Sequence, residues 1–120
     1  MNKGKWSFSL YFSCLVILLF ISCNKNEEYY NFKSYNEAID LYLKSGELEW
    51  MYPTSTLVLK AAYHSNDEVM IIYFLRRPNN GYIYGEVPRR IWAEFKNVPS
   101  KGKYYRSNIK GHYLFNLKDD

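Results

Sequence analysis

The first hydrophobic segment of the chain is short and lies close to its N-terminus. Lys3 and Lys5 form a positively charged start, and an unbroken apolar run follows at residues 15–21. A helix that crosses a bilayer needs about 20 consecutive, mostly apolar residues. The run is shorter than that, and a charged start followed by a short apolar run is typical of an export signal. Residues 1–22 are therefore predicted to be a signal peptide.

Residues 34–53 are predicted to form an amphipathic helix followed by a linker. Ser34 precedes Glu37 by three residues, which is the spacing of a capping box at a helix N-terminus. Gly46 suits the end of the helix. Because the helix is acidic, its apolar stripe is predicted to pack on the following domain and not on a membrane. The stripe has helical spacing and consists of Tyr35, Ala38, Ile39, Tyr42 and Leu43.

From Ser55 onwards the pattern becomes that of β-strands. Residues 57–63 and residues 69–75 are rich in Val, Ile, Leu and Tyr. Residues 64–68 between them supply the polar residues that favour a turn. Residues 77–81 end in an Asn-Gly pair and are predicted to be a second turn.

The segment at residues 81–85 alternates and is predicted to be the third strand. Tyr82 and Tyr84 are expected on one face of that strand and Ile83 on the other. Because the connections are short, the three strands are predicted to form an antiparallel sheet. We expect the two tyrosines and Trp92 to be structural aromatic residues that pack the core.

Two short helices are predicted after the sheet. Pro88 fits the first turn of a helix, where its missing N–H costs nothing. A second helical stretch begins at Ser100. The predicted fold is therefore α+β: an amphipathic helix, a three-stranded antiparallel sheet, and one or two short helices. Residues 54–117 are predicted to be one domain.

The residues after the apolar run carry the first chemical signal. Phe20-Ile21-Ser22-Cys23 resembles a bacterial lipobox, in which the cysteine is lipidated and becomes the new N-terminus. This resemblance implies that Cys23 attaches the chain to a membrane of the cell envelope, and the polar residues 23–33 are predicted to be the tether. The alternative is an uncleaved anchor with an incidental cysteine. Since Cys14 lies in the signal and Cys23 carries lipid, no internal disulfide is expected.

Charge divides the predicted mature chain into two parts. Residues 23–53 contain three lysines against six acidic residues, whereas residues 54–118 contain eleven Lys and Arg against four acidic residues. Asymmetry of this kind is typical of a chain that meets an anionic partner. Packing of the acidic segment on the basic domain is the alternative interpretation.

Three motifs follow one another between Ser55 and Phe115. They are Ser55-Thr56-Leu57-Val58 with Ala62-Tyr63, Tyr82-Ile83-Tyr84 with Val87-Pro88, and Ser100-Lys101-Gly102-Lys103-Tyr104-Tyr105 with Ile109 and Tyr113. In this order the motifs resemble the KTSC domain, a small domain found at the C-terminus of some lysyl-tRNA synthetases and in stand-alone bacterial proteins. The chain departs from the family pattern at Ala62, His64 and Arg106, where the family favours Gly, Asp and Asn.

The resemblance implies RNA-type binding as one function. Basic residues interleave with tyrosines, as in proteins that bind phosphates with cations and stack bases on rings. The alternative is that the tyrosines pack the core beneath the aliphatic stems of Arg and Lys. An exported protein does not meet tRNA, whereas the phosphates of envelope lipids attract the same cations. The candidate binding residues are Arg89, Arg90, Ser100, Lys101, Lys103 and Arg106.

Sequence motifs of catalysis are missing. His64 and His112 are the two histidines, and neither has the spacing of a metal-binding motif. We therefore expect no enzyme activity, no metal and no cofactor. The expected function is that of a lipid-anchored envelope protein whose small domain binds a protein or an anionic envelope component, with nucleic-acid binding as the alternative.

Overall fold

A four-stranded antiparallel sheet organises residues 34–117, the part of the chain described by a computed structural model. These residues belong to one compact unit, Phe32–Asp120. The strands are neighbours in chain order: β1 (Glu49–Met51), β2 (Val58–His64), β3 (Val69–Phe74) and β4 (Arg77–Tyr84). The predicted α+β class is confirmed, whereas the prediction of three strands is wrong by one.

Strand β1 is the additional strand. It lies in the segment predicted to be a linker and pairs with β2, so that Trp50 is opposite Ala62. A strand of three residues is too short to show a period of two, and Pro53 follows it after one further residue. This strand therefore forms because it pairs with β2, and the local sequence pattern does not predict it.

The turn between β3 and β4 was predicted at residues 77–81 and lies just before them. Leu75 and Arg76 form the turn, and the Asn80-Gly81 pair lies within β4. Gly81 is opposite Tyr73, and a Cβ atom on Gly81 would lie 2.9 Å from Cζ of the Tyr73 ring. Glycine is thus required at this position for the close approach of a ring and not for a turn.

Helix α1 (Tyr35–Ser45) precedes the sheet and has the predicted ends. The hydroxyl of Ser34 accepts a hydrogen bond of 3.1 Å from the backbone N–H of Glu37. Gly46 ends the helix in the left-handed conformation, with φ of 71°. The predicted amphipathic helix is therefore confirmed, together with its capping residues.

Helix α1 packs against the sheet as predicted, through a narrower stripe. Ala38, Ile39 and Tyr42 are buried, whereas Tyr35 and Leu43 at the margins of the predicted stripe are exposed. The Tyr42 hydroxyl donates a 2.9 Å hydrogen bond to the carboxylate of Asp67 in the turn after β2. The helix contacts β4 at its other end.

Two further helices and a π-helical turn follow the sheet and complete its main core: α2 (Arg89–Asn97), α3 (Lys101–Tyr104) and the turn Tyr105–Ile109. The core residues come from β2, β3, the loop before α2, α2 and the π-helical turn. They are Val58, Ala61, Tyr63, Met70, Ile72, Val87, Ile91, Trp92, Phe95 and Ile109. Residues of these strands that point away from this core, such as Ala62 and Ile71, are also fully buried.

The strands define two ends of the domain. At the first end, the N–H of Leu75 donates a 3.0 Å hydrogen bond to the carbonyl of Leu57, so the β3–β4 turn lies beside the start of β2. At the second end, the N–H of Val87 donates a 2.8 Å hydrogen bond to the carbonyl of Glu68 in the β2–β3 turn. We name them the Leu57 end and the Glu68 end. The length of β2 separates them by about 20 Å.

Candidate functional site

Two adjacent arginines mark the Leu57 end. Arg76 lies in the β3–β4 turn and Arg77 begins β4, and both side chains are exposed. Nη1 of Arg77 donates a 3.4 Å hydrogen bond to the hydroxyl of Tyr82. Within residues 34–117, neither arginine forms an ion pair. Both cations are therefore available to an anionic partner.

Arg106 reaches the same end because α3 packs closely on β2. A Cβ atom on the buried Gly102 would lie 3.3 Å from Cβ of Leu57 and 3.7 Å from Nη1 of Arg106. Glycine therefore allows α3 to approach the start of β2 and brings the Arg106 side chain with it. The Arg106 side chain is exposed.

A cleft of about 300 Å³ opens beside Gly102 at the Leu57 end. Two segments that are far apart in sequence line it, residues 54–56 and residues 99–102. Four of these residues carry hydroxyl groups, and Lys101 supplies a cation. The fold therefore brings the opening and closing motifs of the sequence to one surface.

The two serine hydroxyls of the cleft have known partners. Oγ of Ser55 accepts hydrogen bonds of 3.1 Å from the backbone N–H groups of Leu57 and Val58. Oγ of Ser100 accepts a 3.3 Å hydrogen bond from the N–H of Lys103 and caps α3. Because a hydroxyl can both accept and donate, each serine retains its own proton to donate to a ligand.

Lys101 has a structural role in this region. Its ammonium group donates hydrogen bonds of 2.8 Å to the carbonyl of Lys96 and 2.6 Å to that of Val98, at the C-terminal end of α2. Burial lowers the pKa of Lys101 below the ordinary value of a lysine. An ammonium group has three donors, so one N–H remains beyond the two that cap α2. Lys103, in contrast, is exposed and lines a neighbouring groove with Ser107 and Asn108.

Arg89 and Arg90 lie at the opposite end of the domain. They begin α2 two residues after Val87, which bonds to Glu68. Nη1 of Arg90 donates a 3.2 Å hydrogen bond to the carboxylate of Glu94, one turn along the helix. Helix α2 thus runs from the Glu68 end to the Leu57 end.

Acidic side chains gather at the Glu68 end. Nε2 of the buried His64, the last residue of β2, lies 3.0 Å from the carboxylate of Glu47. Nδ1 of the same ring accepts the backbone N–H of Asp67 at 3.2 Å, so we assign the ring proton to Nε2. Glu86 precedes Val87 and adds a further carboxylate to this end. The two ends therefore differ in charge.

The predicted binding residues are consequently divided between two surfaces. Ser100, Lys101, Lys103 and Arg106 lie together at the Leu57 end, whereas the arginines that begin α2 lie at the Glu68 end. The site prediction missed the residues that the segment before β2 and the β3–β4 hairpin contribute to the Leu57 end. They are Thr54, Ser55, Thr56, Arg76 and Arg77. Two signals were present in the sequence: the Ser-Thr pair of the opening motif, and a pair of arginines between two strands.

The two tyrosines of β4 have different environments. The Tyr84 ring packs against the core, and its hydroxyl lies 2.7 Å from that of Tyr105. Burial raises the pKa of Tyr84 far above its ordinary value. Tyr82 is 38% exposed and meets the ring of Phe74 edge-on at 5.3 Å. The pair therefore combines a structural ring with an accessible one.

Trp92 connects α2 to the sheet. Its side chain is 3% exposed and stacks on Tyr63, with ring centroids 5.4 Å apart. The indole N–H donates a 2.7 Å hydrogen bond to the carboxylate of Glu49 in β1, and Lys96 donates a second one. These two hydrogen bonds hold the pKa of Glu49 below its usual value. Burial raises the pKa of Tyr63 to about 12.

Some predictions concern residues that the structure does not describe. The signal peptide at residues 1–22, the lipidation site Cys23 and the tether at residues 23–33 lie outside residues 34–117. No helix within residues 34–117 is long and apolar enough to cross a bilayer. Within that same range, no three His, Cys, Asp or Glu side chains are grouped as ligands for a metal ion.

Comparison with known proteins points to one family. The sequence pattern of the KTSC domain matches residues 54–113. The crystal structure of a KTSC domain protein from Yersinia pestis is similar, with a TM-score of 0.52 and 26% sequence identity. The similarity covers 60% of this chain and 99% of the Yersinia protein. No curated protein sequence matches the chain.

Proposed function

Because the chain belongs to the KTSC domain family, we propose that it is a lipid-anchored envelope protein whose KTSC domain is a non-catalytic binding module. In this proposal lipid on Cys23 holds the protein at a membrane. The Leu57 end of the domain binds an anionic envelope component or the acidic surface of another protein. The alternative is a module that binds single-stranded nucleic acid.

The observation that carries the proposal is the separation of charge between the two ends of the domain. Arg76, Arg77 and Arg106 are exposed at the Leu57 end, beside the hydroxyl-lined cleft. At the Glu68 end, four carboxylates outnumber the two arginines that begin α2. They are Glu47, Asp67, Glu68 and Glu86. A surface that collects one sign of charge attracts partners of the other sign and orients them before contact.

The chemistry of the cleft fits binding. Ser55 and Ser100 accept backbone N–H groups, and each retains a hydroxyl proton that it can donate. Hydroxyl donors of this kind form hydrogen bonds to phosphate, sulfate or carboxylate oxygens, and binding of this type makes or breaks no covalent bond. The nucleic-acid alternative has one specific support, which is the exposed Tyr82 ring beside Arg77, since stacking rings with neighbouring cations hold bases and phosphates.

Lipid attachment is tested by metabolic labelling. Cells that express the full chain are fed a fatty-acid analogue with a reactive tag, and labelled protein is detected on a gel. Wild type is expected to carry the label and Cys23→Ala to lack it, because only the lipobox cysteine is acylated. Cys14→Ala is the matched control and should label as wild type does. Equal labelling of wild type and Cys23→Ala contradicts the anchor.

Ligand class is tested with two soluble polyanions. The lipidated protein is held in neutral phosphatidylcholine vesicles and titrated with heparin or with a single-stranded oligonucleotide of equal charge. If charge drives binding, both polyanions bind and both affinities fall steeply with salt. Arg76→Gln/Arg77→Gln should weaken both by about 30-fold, at about 1 kcal/mol for each cation.

The outcomes of this titration separate the two functions. A large preference for the oligonucleotide over heparin, lost on Tyr82→Ala, supports the nucleic-acid alternative because heparin has the charge without the bases. Absence of binding to either polyanion contradicts an anion-binding function of the Leu57 end.

A further inference from the structure

We infer that the anionic partner is the headgroup surface of the membrane that holds the lipid anchor, and that the domain docks on it with the Leu57 end. This inference rests on the proposed function and names the partner. The partner is a surface of negatively charged phosphate headgroups. The other end of the domain, which carries the acidic β2–β3 turn, then faces away from the bilayer.

The charges that would meet the membrane come from four adjacent parts of the fold. Arg76 and Arg77 come from the β3–β4 turn and the start of β4, Lys103 from α3, and Arg106 from the π-helical turn. All four side chains are exposed. Glu37, in the first turn of α1, offsets one of these charges, since α1 begins beside β4. The Leu57 end remains cationic.

The chain outside the described residues has a length that permits this arrangement. Ten residues, 24–33, separate Cys23 from Ser34, which caps α1. Ten residues span at most about 35 Å when extended. A connection of this reach lets any face of a small domain meet the bilayer, so the charge distribution decides which face does.

The point at which the chain enters the domain also favours the Leu57 end. Tyr35 and Asn36 at the start of α1 line a groove with residues 80–84 of β4. β4 is irregular at residues 78–80, so that Gly81 and Arg77 lie opposite two consecutive residues of β3. Helix α1 then runs towards the Glu68 end, where Tyr42 bonds to Asp67. The anchor is therefore attached on the side of α1 that is remote from the acidic turn.

The second contact would orient the domain. A lipid anchor fixes the N-terminus of the chain at the membrane but not the face that the domain turns to it, and a basic patch that binds anionic lipid selects that face. Anionic headgroups attract each nearby Lys or Arg, and the attraction falls off within a Debye length. The cleft beside Gly102 adds hydroxyl donors at the same surface, where phosphate oxygens are within reach of Ser55 and Ser100.

The orientation of the domain is measured by energy transfer to the membrane. Thr56→Cys and Ser65→Cys place a donor dye at exposed sites on either side of β2, one at each end of the domain. With the signal removed and Cys23 lipidated, the introduced cysteine is the sole free thiol of the chain. The lipidated protein is inserted into vesicles that carry an acceptor dye on a headgroup. The vesicles contain phosphatidylcholine alone or mixed with phosphatidylglycerol.

Docking predicts a difference between the two dyes on anionic vesicles. Transfer from position 56 should exceed transfer from position 65, and the difference should disappear in high salt and on phosphatidylcholine alone. Arg76→Gln/Arg77→Gln should lower the ratio of docked to undocked domain by about 30-fold. Arg89→Gln/Arg90→Gln is the matched control, because it removes an equal number of adjacent arginines from the Glu68 end and should leave the transfer unchanged.

Two results overturn the inference. One is equal transfer from positions 56 and 65 on anionic vesicles, and the other is an equal effect of the two double variants. Circular dichroism of each variant establishes that it is folded before transfer is measured. If heparin binds in neutral vesicles while docking fails, the membrane is excluded as the partner and the proposed anion-binding function stands. If heparin also fails to bind, the proposed function itself is contradicted.

Discussion

Replacing Trp92 by alanine is expected to lower the free energy of unfolding by about 4 kcal/mol. The ring is 3% exposed, stacks on Tyr63 and connects α2 to β1 through Glu49. Removing it leaves a cavity in the core and a carboxylate without one of its donors. A small domain that no disulfide supports has about 5 kcal/mol of stability to lose. Urea unfolding followed by circular dichroism measures the effect, and most of the variant should be unfolded near 37 °C.

Two comparisons isolate the cause of that loss. Trp92→Phe keeps a smaller ring against Tyr63 but loses the indole N–H and the volume of one fused ring, so it should cost about half as much. Tyr52→Ala removes a ring that is 72% exposed and should change the unfolding free energy by less than about 0.5 kcal/mol. If Trp92→Ala and Tyr52→Ala unfold at the same urea concentration, the core described for α2 is incorrect.

Helix α1 shows what local sequence can predict. Its start and its end depend on interactions between residues within four positions of one another. The Ser34 cap and the left-handed Gly46 are examples, and both are observed. Signals of this range are contained in the sequence around the helix, so the prediction needed no knowledge of the tertiary fold.

Strand β1 and Gly81 show where local reasoning fails. β1 has three residues, and the residues of β2 with which it pairs, Ala61 to Tyr63, lie beyond a loop and further along the chain than any local pattern reaches. The Asn80-Gly81 pair favours a turn by its own conformational preference, yet it occurs within a strand because the Tyr73 ring requires a glycine opposite it. In both places a contact between strands overrides the local preference.

The sequence predicted only part of the candidate site, and the reason is related. Ser100, Lys101, Lys103 and Arg106 are neighbours in sequence, and α3 and its π-helical continuation keep them near one another. The arginines at 89 and 90 are closer in sequence to this group than Arg76 is, but α2 carries them to the other end of the domain. The partners from the segment before β2 and from the β3–β4 hairpin come into place through sheet pairing, which the spacing of charges along the chain does not encode.

Replacing Tyr84 by alanine is expected to lower the free energy of unfolding by about 3 kcal/mol. The ring packs against the core and its hydroxyl pairs with that of Tyr105, which the substitution leaves without this partner. Tyr84→Phe keeps the ring and should cost about 1 kcal/mol, the typical value of one hydrogen bond. Thermal unfolding of the full chain compares the variants.

Arg89→Ala and Arg90→Ala provide the control for Tyr84, because both side chains are exposed and the ion pair of Arg90 with Glu94 lies at the surface. Exposed pairs of this kind contribute less than about 1 kcal/mol, so the melting temperature should stay close to that of wild type.

A different result for Tyr84→Ala would change the functional conclusion. If Tyr84→Ala melts as wild type does but loses affinity for an oligonucleotide, the tyrosines of β4 form a stacking surface. Nucleic-acid binding then replaces the membrane as the explanation of the cationic Leu57 end.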